Sequence, residues 1–286
     1  MLLIDLNQIV LASLIAQINS KKMKITEDFV RHVALNALRY NINQFRREYG
    51  EVVICCDNRK YWRKEYFPFY KAGRKKSREK TGLDWHMIFE SLAKVKEELK
   101  QNFPYKVIDV EGGEADDVIG TLAPRHVMHE NVLILSSDGD FLQLQQYNNR
   151  SQYKIKQYNP SQKAYVTSEN PLEALKEKII RGDSGDGIPN VLSPNDCFVR
   201  DMRQKNITKL ILEKFMGKEY AEWEDETAKI GFTRNQMLID LRMIPTDIKD
   251  KIINTYEEVK PANRTKMLNY FIDKNLRNLM DVIEEF

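Results

Sequence analysis

Short apolar runs of strand length alternate with stretches of helical spacing over the first 167 residues. Runs such as Val132 to Leu135 contain β-branched residues, are too short for a helix and end at Ser, Gly and Asp, so they predict buried strands. The alternation predicts a doubly wound α/β fold with a central, mostly parallel sheet. The predicted strands cover 1–6, 52–57, 105–110, 132–135, 153–158 and 164–167, with helices at 9–18, 26–49, 85–99 and 114–126.

The pattern changes near residue 168, after which only helical stretches follow, at 172–180, 207–215, 235–241, 246–256 and 264–274. A chain of 286 residues is long enough for one large domain with a smaller one attached. The sequence therefore predicts an α/β domain over 1–167 and a helical domain over 168–286. A Lys-rich turn at 20–24 is expected between the first two helices.

Acidic residues follow or begin several of these elements. In an α/β sheet, ligands bind beyond the carboxyl ends of the strands, where these acids would emerge. One such acid has a simpler explanation: Asp138 could cap a helix beginning at Phe141, with Asp140 in its first turn. The recurrence of acids in four clusters instead favours a metal site. The candidates are Asp5, Asp57, Glu114, Asp116, Asp117, Asp138, Asp140, Asp183 and Asp186.

The formal net charge is only +3, but the charge is segregated along the chain. Residues 59–80 hold ten basic residues against two acids, interleaved with aromatic residues, a combination that favours a channel for single-stranded nucleic acid. The alternative is a solvated basic helix whose aromatic face, including Phe67 and Phe69, lies in the core. The candidate nucleic-acid contacts are Tyr61, Trp62, Arg63, Lys64, Tyr70, Lys71, Arg74, Lys75, Lys76 and Arg78.

Other classes of protein find little support in the sequence. Its three cysteines have neither disulfide nor C-x-x-C spacing, which favours a reducing cytoplasm. His126 and His129 lack partners for a zinc set. No apolar stretch approaches 18 residues and no basic segment precedes the amino-terminal apolar run, so neither export nor a membrane span is expected.

The ordered motifs LLIDLN, VVICCD, YKAGR, EADD, SSDGDF and GDSGDGIPNV resemble those of the flap endonuclease, or structure-specific 5′-nuclease, family over almost the whole chain. The segments YWRKEY, LIDLRMIPTDI and NYFIDK to IEEF also resemble the bacteriophage ribonuclease H members of this family. The resemblance implies a PIN-like 5′-nuclease core, a basic-aromatic arch at about 59–84 and a duplex-DNA-binding helical domain. It departs from the family's pattern after Val191, where the glycine pair of a potassium-assisted helix-turn-helix is missing.

The resemblance also implies roles for the candidate residues. Asp138 would lie nearest the catalytic metal, and Lys71 and Arg74 would face the scissile phosphate in a catalytic role. A first metal would be surrounded by Asp5, Asp57, Glu114, Asp116 and Asp138. The second metal would be set, or its waters held, by Asp117, Asp140, Asp183 and Asp186. Oxygen ligands suit two Mg²⁺ ions, with Mn²⁺ as a substitute.

The implied function is a Mg²⁺-dependent 5′-to-3′ nuclease that removes RNA primers, adjacent DNA or 5′ flaps in lagging-strand replication, with ribonuclease H activity on RNA–DNA hybrids. It would act as a monomer in the cytoplasm, that of a bacterial host if phage-encoded. Substrates would be RNA–DNA hybrids and flapped or nicked duplexes; protein partners would be a single-stranded-DNA-binding protein and a sliding clamp. Two alternatives remain, a PIN-class ribonuclease on structured RNA and a non-catalytic module that binds branched DNA.

Overall fold

The computed structural model describes residues 1–21 and 25–286, and its centre is a six-stranded sheet with strand order β3-β2-β1-β4-β5-β6. All neighbouring strands run parallel except β5 and β6, which are antiparallel. The prediction of a mostly parallel sheet is therefore confirmed. The strands are β1 (Leu2–Asp5), β2 (Val52–Cys55), β3 (Lys106–Ile108), β4 (Val132–Leu135), β5 (Ile155–Asn159) and β6 (Ala164–Val166).

The helices agree with the sequence pattern except in two places. The arch region contains two short helices, and the helix expected at 235–241 begins nine residues earlier because Asp225 caps it by accepting a 3.0 Å hydrogen bond from the Ala228 amide. Residues 22–24 of the Lys-rich turn lie outside the described residues. The helices are α1 (Leu6–Lys21), α2 (Glu27–Tyr49), α3 (Trp62–Tyr66), α4 (Arg74–Glu79), α5 (Trp85–Asn102), α6 (Ala115–His126), α7 (Pro171–Arg181), α8 (Lys209–Met216), α9 (Glu226–Ile239), α10 (Thr246–Glu258), α11 (Arg264–Asp273) and α12 (Arg277–Met280).

Both faces of the sheet are buried, as a parallel sheet requires. Because successive strand residues point to opposite faces, Leu2 and Ile4 of β1 pack with α1, α2 and α5, while Leu3 packs with α6 on the other face. This explains why the predicted strands are continuous apolar runs rather than alternating ones.

The carboxyl-terminal helices pack in three places. Helices α7 to α9 form a core with Phe67 of the arch region, α10 packs on the α6 face through Ile248, and Phe271 of α11 packs on the opposite face. On that face Tyr270 donates a 2.8 Å hydrogen bond to Glu98, which pairs with the buried Arg31. The division of the chain at residue 168 stays a prediction.

The strand order creates a switch point at β1. Its neighbours β2 and β4 lie on opposite sides, and the chain winds away from β1 in opposite directions. The carboxyl ends of β1 and β4 therefore lie side by side at the place where open α/β sheets bind ligands. No helix among the described residues is long and apolar enough to cross a membrane.

Candidate active site

Four carboxylates, which we call the acidic cluster, meet at this switch point: Asp5 at the end of β1, Asp57 beyond β2, Asp116 in the first turn of α6 and Asp138 beyond β4. Burial, followed by the charge of Asp57, raises the pKa of Asp5 to about 7. Burial, followed by the charge of Asp138, raises the pKa of Asp116 well above its usual range. In the ranges 1–21 and 25–286, none of the four forms an ion pair with a basic side chain. The cluster thus lacks a paired cation, and burial and mutual repulsion oppose the ionisation of its carboxyl groups.

Hydrogen bonds fix the positions of the acidic cluster. The Ser136 hydroxyl donates to Oδ2 of Asp5 at 3.0 Å and accepts from the backbone amide of Asp138 at 3.1 Å. Asp57 accepts from Asn7 Nδ2 at 2.7 Å and from the Ala115 amide at 2.9 Å. Sequence reasoning missed the roles of Ser136 and Asn7. Ser136 stands within the SSDGDF motif, but its bond to a residue 131 positions away has no sequence signal.

Asp138 does serve as a helix cap, as one interpretation of the sequence proposed. It accepts a 2.9 Å hydrogen bond from the Asp140 amide at the start of the 3-10 helix Gly139–Asn149. Behind this turn, the buried Gln157 on β5 donates to the carbonyl oxygens of Ser136 at 3.0 Å and Asp138 at 2.6 Å. Burial raises the pKa of Asp138, although Lys178 opposes the shift. Capping therefore orients the carboxylate within the acidic cluster, and the two interpretations are compatible.

Two of the predicted metal ligands, Glu114 and Asp117, contact a buried arginine. Arg63, 2% exposed, contacts Glu114 Oε2 at 3.0 Å and Asp117 Oδ1 at 2.8 Å. Asp117 is fully buried and also accepts from the Glu114 amide at 2.9 Å and from Trp62 Nε1 at 3.2 Å. These contacts give Asp117 the role of closing the amino terminus of α6. We therefore leave Asp117 out of the proposed ligand set.

The remaining acids face basic side chains of the chain itself. Lys178 pairs with Asp140 and, at 3.0 Å, with Asp183, while Arg74 pairs with Asp186. Burial opposes the charge on Asp186, but Lys71 and Arg74 outweigh it and lower its pKa. The site thus has an uncompensated half, the acidic cluster, and a half neutralised by internal cations. No sequence pattern marks Lys178 as a partner of these acids.

Lys71 is held in an uncommon backbone conformation, with a φ of 57°. Its amide donates to the Asp186 carbonyl at 2.7 Å, and its Nζ lies 2.7 Å from Glu114 Oε1. Gly187 packs on this turn so closely that a Cβ there would lie 3.0 Å from the Phe69 carbonyl oxygen. Burial disfavours the charge on Lys71, but Glu114 and Asp186 raise its pKa above the usual range. The YKAGR and GDSGDG motifs are therefore one structural unit.

Only some side chains of the arch region are exposed to solvent. Trp62, Arg63, Phe67 and Tyr70 are buried, so the interpretation that placed its aromatic face in the core is correct for these rings. Buried side chains cannot contact a nucleic-acid strand that comes from solution. Trp62, Arg63 and Tyr70 are therefore not among the proposed nucleic-acid contacts.

Besides the half-buried Lys71 and Arg74, the exposed or half-buried candidates in the arch are Tyr61, Lys64, Lys75, Lys76 and Arg78. Most of them line a cavity of about 470 Å³ between the arch and α5, which extends to Asp57 and Glu114 of the site. Acids elsewhere in the chain balance part of the arch's charge, as in the pair between Lys76 and Asp201 at 2.8 Å.

Two family models cover the chain. Residues 1–175 match the 5′-3′ exonuclease, N-terminal resolvase-like domain, and residues 171–286 match the model described as T4 RNase H, C terminal. The chain belongs to the 5′-3′ exonuclease family. It is a nuclease, and the predicted resemblance is confirmed.

Individual members of the 5′-3′ exonuclease family are also similar. Ribonuclease H of Enterobacteria phage T4 is 34% identical, covering 99% of this chain and 95% of that protein. A flap endonuclease of Shewanella woodyi is 34% identical over 46% of this chain and 49% of its own. A structure of phage T5 5′-exonuclease with divalent metal ions (zinc) bound has a TM-score of 0.60 at 16% identity, covering 91% of this chain and 98% of that one. At that identity the likeness confirms the fold.

The donor chemistry of the acidic cluster fits a hard divalent cation. All of its side-chain donors are carboxylate oxygens, and burial together with mutual repulsion raises the pKa of Asp5 and of Asp116. Among the described residues, no three carboxylate, His or Cys side chains are already drawn together around one point as ligands. A bound cation would relieve the mutual repulsion that opposes ionisation of these carboxyl groups.

Proposed function

We propose that this nuclease removes RNA primers, adjacent DNA and 5′ flaps in the 5′-to-3′ direction during lagging-strand replication, by two-metal phosphodiester hydrolysis. The observation that carries the proposal is the uncompensated acidic cluster at the switch point of the sheet. Buried carboxylates that repel one another are costly unless cations balance them, so the cluster is arranged for ions that come from solution.

Asp5, Asp57, Asp116 and Asp138, with the adjacent Glu114, would hold the first ion. Asp140, Asp183 and Asp186 would serve the second, directly or through water. Mg²⁺ suits these oxygen donors, and Mn²⁺ would substitute. When bound, the ions would lower the pKa of a water and stabilise charge that develops on the phosphate.

Lys71 and Arg74 would hold the scissile phosphate. Both stand at the border of the site, where they now face Glu114 and Asp186, and burial leaves Lys71 little freedom to turn away. Their charges would offset the acidic floor as the phosphate enters and would stabilise the transition state. Lys64, Lys75, Lys76 and Arg78, with Tyr61, would guide the single strand through the neighbouring cavity.

The helical region from residue 168 would hold the duplex on the other side of the scissile bond through sequence-independent contacts. Substrates would be RNA–DNA hybrids and flapped or nicked duplex DNA. Protein partners would be a single-stranded-DNA-binding protein and a sliding clamp. We propose that the protein acts as a monomer in the cytoplasm of a bacterial host.

Cleavage of 5′-labelled RNA–DNA hybrid, flapped, single-stranded and structured RNA substrates with Mg²⁺ or EDTA tests this proposal. We expect Mg²⁺-dependent release of 5′ products from hybrid and flapped DNA, which EDTA abolishes. Preference for structured RNA would instead indicate a PIN-class ribonuclease. Binding of branched DNA without cleavage would indicate a non-catalytic module. Cleavage unaffected by EDTA would exclude the two-metal mechanism.

A further inference from the structure

Arg234 on α9 is a buried cation whose hydrogen-bond acceptors are all neutral. It is 7% exposed. Its Nη2 donates to the carbonyl oxygens of Pro189 at 2.7 Å and Asn190 at 3.2 Å, and its Nη1 donates to Oδ1 of Asn195 at 2.6 Å. Its Nε donates to Oδ1 of Asn235 at 2.8 Å. The other buried arginines, Arg31 and Arg63, each pair with a carboxylate. Arg234 differs from them because all of its hydrogen-bond acceptors are uncharged.

The charge on this guanidinium is retained in spite of its burial. Burial lowers the pKa of Arg234 to about 10, so the side chain stays protonated near neutral pH. The groups with the strongest electrostatic effect on it are Cys197 and Tyr66, both ordinarily neutral at that pH. A buried charge with no counterion is costly, and its hydrogen bonds to oxygen atoms only partly offset that cost. An anion at the nearby surface would supply the missing counterion.

Residues 187–195, which we call the α9 loop, are built directly on this helix. A Cβ at Gly231 would lie 2.3 Å from the Val191 carbonyl oxygen, so the helix and loop backbones touch. Asn235 Nδ2 adds hydrogen bonds to the carbonyl oxygens of Pro189 at 2.9 Å and Ile179 at 2.7 Å. The Arg234 charge therefore lies directly beneath the loop.

The α9 loop also borders the candidate active site. It follows Asp186 without a break, and Gly187 contacts the turn that carries Lys71. Beyond the loop, Arg203 and Lys205 are exposed beside a second cavity of about 470 Å³ that also includes Asn190. A polyanion with one phosphate at the active site would therefore pass over the loop and these bases.

We propose that Arg234 is an internal cation that organises the α9 loop for contact with a duplex phosphate, in place of a monovalent ion from solution. The carbonyl oxygens of Pro189 and Asn190 both accept from Nη2, a position that an alkali cation coordinated by carbonyl oxygens could otherwise take. This makes Arg234 a positioning residue for duplex binding. The inference rests on the proposed function, because it assumes a duplex substrate.

Duplex affinity in different monovalent salts tests the inference. A nicked duplex would be titrated into wild type, Arg234→Ala and Arg234→Lys in matched concentrations of KCl and tetramethylammonium chloride, with Ca²⁺ in place of Mg²⁺. We expect wild-type affinity to be the same in both salts within about twofold, and Arg234→Ala to lose about tenfold in tetramethylammonium, the equivalent of 1.4 kcal/mol. Potassium should restore much of that loss, because it can occupy the vacated carbonyl oxygens whereas tetramethylammonium cannot.

Arg234→Lys keeps the charge and should bind duplex within about threefold of wild type in both salts, a change below 1 kcal/mol. Arg203→Ala is the matched control, since loss of an exposed phosphate contact should lower affinity equally in both salts. The inference is overturned if Arg234→Ala loses nothing, if its loss does not depend on the cation, if Arg234→Lys loses as much as Arg234→Ala, or if wild type itself requires potassium. Thermal unfolding identifies a variant that has lost its fold, and Arg234→Lys then decides alone.

Cleavage separates this inference from the proposed function. At subsaturating duplex, single-turnover cleavage by Arg234→Ala should fall in proportion to its loss of duplex affinity, because its defect concerns binding. If wild type fails to cleave any hybrid or flapped substrate, the proposed function is wrong. If it cleaves them but the salt comparison fails, only the role of Arg234 is wrong.

Discussion

The Ser136 hydroxyl donates a 3.0 Å hydrogen bond to Oδ2 of Asp5, which joins the carboxyl ends of the two central strands β1 and β4. Ser136 is completely buried, and no water can take over its role without rearrangement. This bond favours the ionised form of Asp5, whose pKa burial and Asp57 otherwise raise. The ionisation of Asp5, on which the proposed metal binding depends, is therefore favoured by a residue that itself holds no metal.

Ser136→Ala should weaken Mn²⁺ binding at pH 7 by about tenfold, because a hydrogen bond to a charged group contributes about 1.5–3 kcal/mol. Loss of the bond raises the pKa of Asp5 above about 7, so protons compete with the metal at higher pH. Calorimetric titrations from pH 6 to pH 9 should show the binding curve displaced towards higher pH. Ser137→Ala, whose hydroxyl bonds Asn159, is the control and should leave the curve unchanged. A curve that stays in place for Ser136→Ala would contradict the role of this bond.

Asp138→Asn should lower single-turnover cleavage by more than about a hundredfold, since even residues that only support metal ligands can cost that much. Duplex binding should survive or tighten, because one charge that repels phosphate is removed. Asp109→Asn is the matched control: Asp109 also follows a strand but pairs with Lys96 at 2.6 Å and Lys100 at 3.0 Å. Near-normal turnover of Asp138→Asn at saturating Mg²⁺ would show that this carboxylate does not hold the catalytic metal.

The double variant Lys71→Ala with Arg74→Ala should lose far more in single-turnover rate than in duplex affinity. In the proposed complex the two side chains border the reacting phosphate, so their loss should fall on transition-state placement. Lys75 and Lys76 are exposed, and the double variant Lys75→Ala with Lys76→Ala should lose more affinity for the 5′ strand than single-turnover rate. Equal losses of rate and affinity in the Lys71 and Arg74 variant would make the arch a docking surface only.

Arg63→Met should destabilise the fold by about 3–5 kcal/mol, because it leaves Glu114 and Asp117 buried without their counterion. The neighbouring Lys64→Met should change stability by less than about 0.5 kcal/mol, since Lys64 is exposed. Urea unfolding followed by circular dichroism measures both. If Arg63→Met kept wild-type stability and lost only nucleic-acid affinity, the prediction that Arg63 contacts nucleic acid would be right.

Glu98→Gln should lower the free energy of unfolding by about 1–3 kcal/mol at pH 7. Burial opposes ionisation of Glu98, but hydrogen bonds from Arg31 and Tyr270 outweigh it and lower the pKa below the ordinary 4.5. A lowered carboxyl pKa stabilises the fold above the unfolded-state pKa, and this contribution is lost as the pH falls through the folded-state value. The difference between wild type and Glu98→Gln should therefore shrink below about pH 4.5. A difference that persists at low pH would exclude this linkage.

The sequence could predict the elements that depend on local pattern. The strand at Val132–Leu135 has the predicted bounds because it is an apolar run ended by Ser and Gly. It could also predict that Asp5 and Asp138 would approach each other, because parallel strands present their carboxyl ends at one edge.

The sequence could not predict which basic side chains are buried. Arg63 and Lys64 are neighbours of similar charge, yet one is buried against Glu114 and the other is exposed, and only the approach of a segment 51 residues away decides between them. Nothing in the sequence around Lys178 indicates that its side chain pairs with Asp140 and Asp183. Arg234 has no acidic neighbour to mark it, because its acceptors are backbone and amide oxygens.

The position of β1 in the middle of the sheet has a consequence for synthesis. Asp5 is among the first residues that a ribosome makes, but β4 must be present before β1 has both neighbours, and Asp186 comes later still. At roughly 5–20 residues per second, an interval of about ten to forty seconds separates these ends of the site. An incomplete nascent chain therefore cannot assemble the full set of proposed metal ligands.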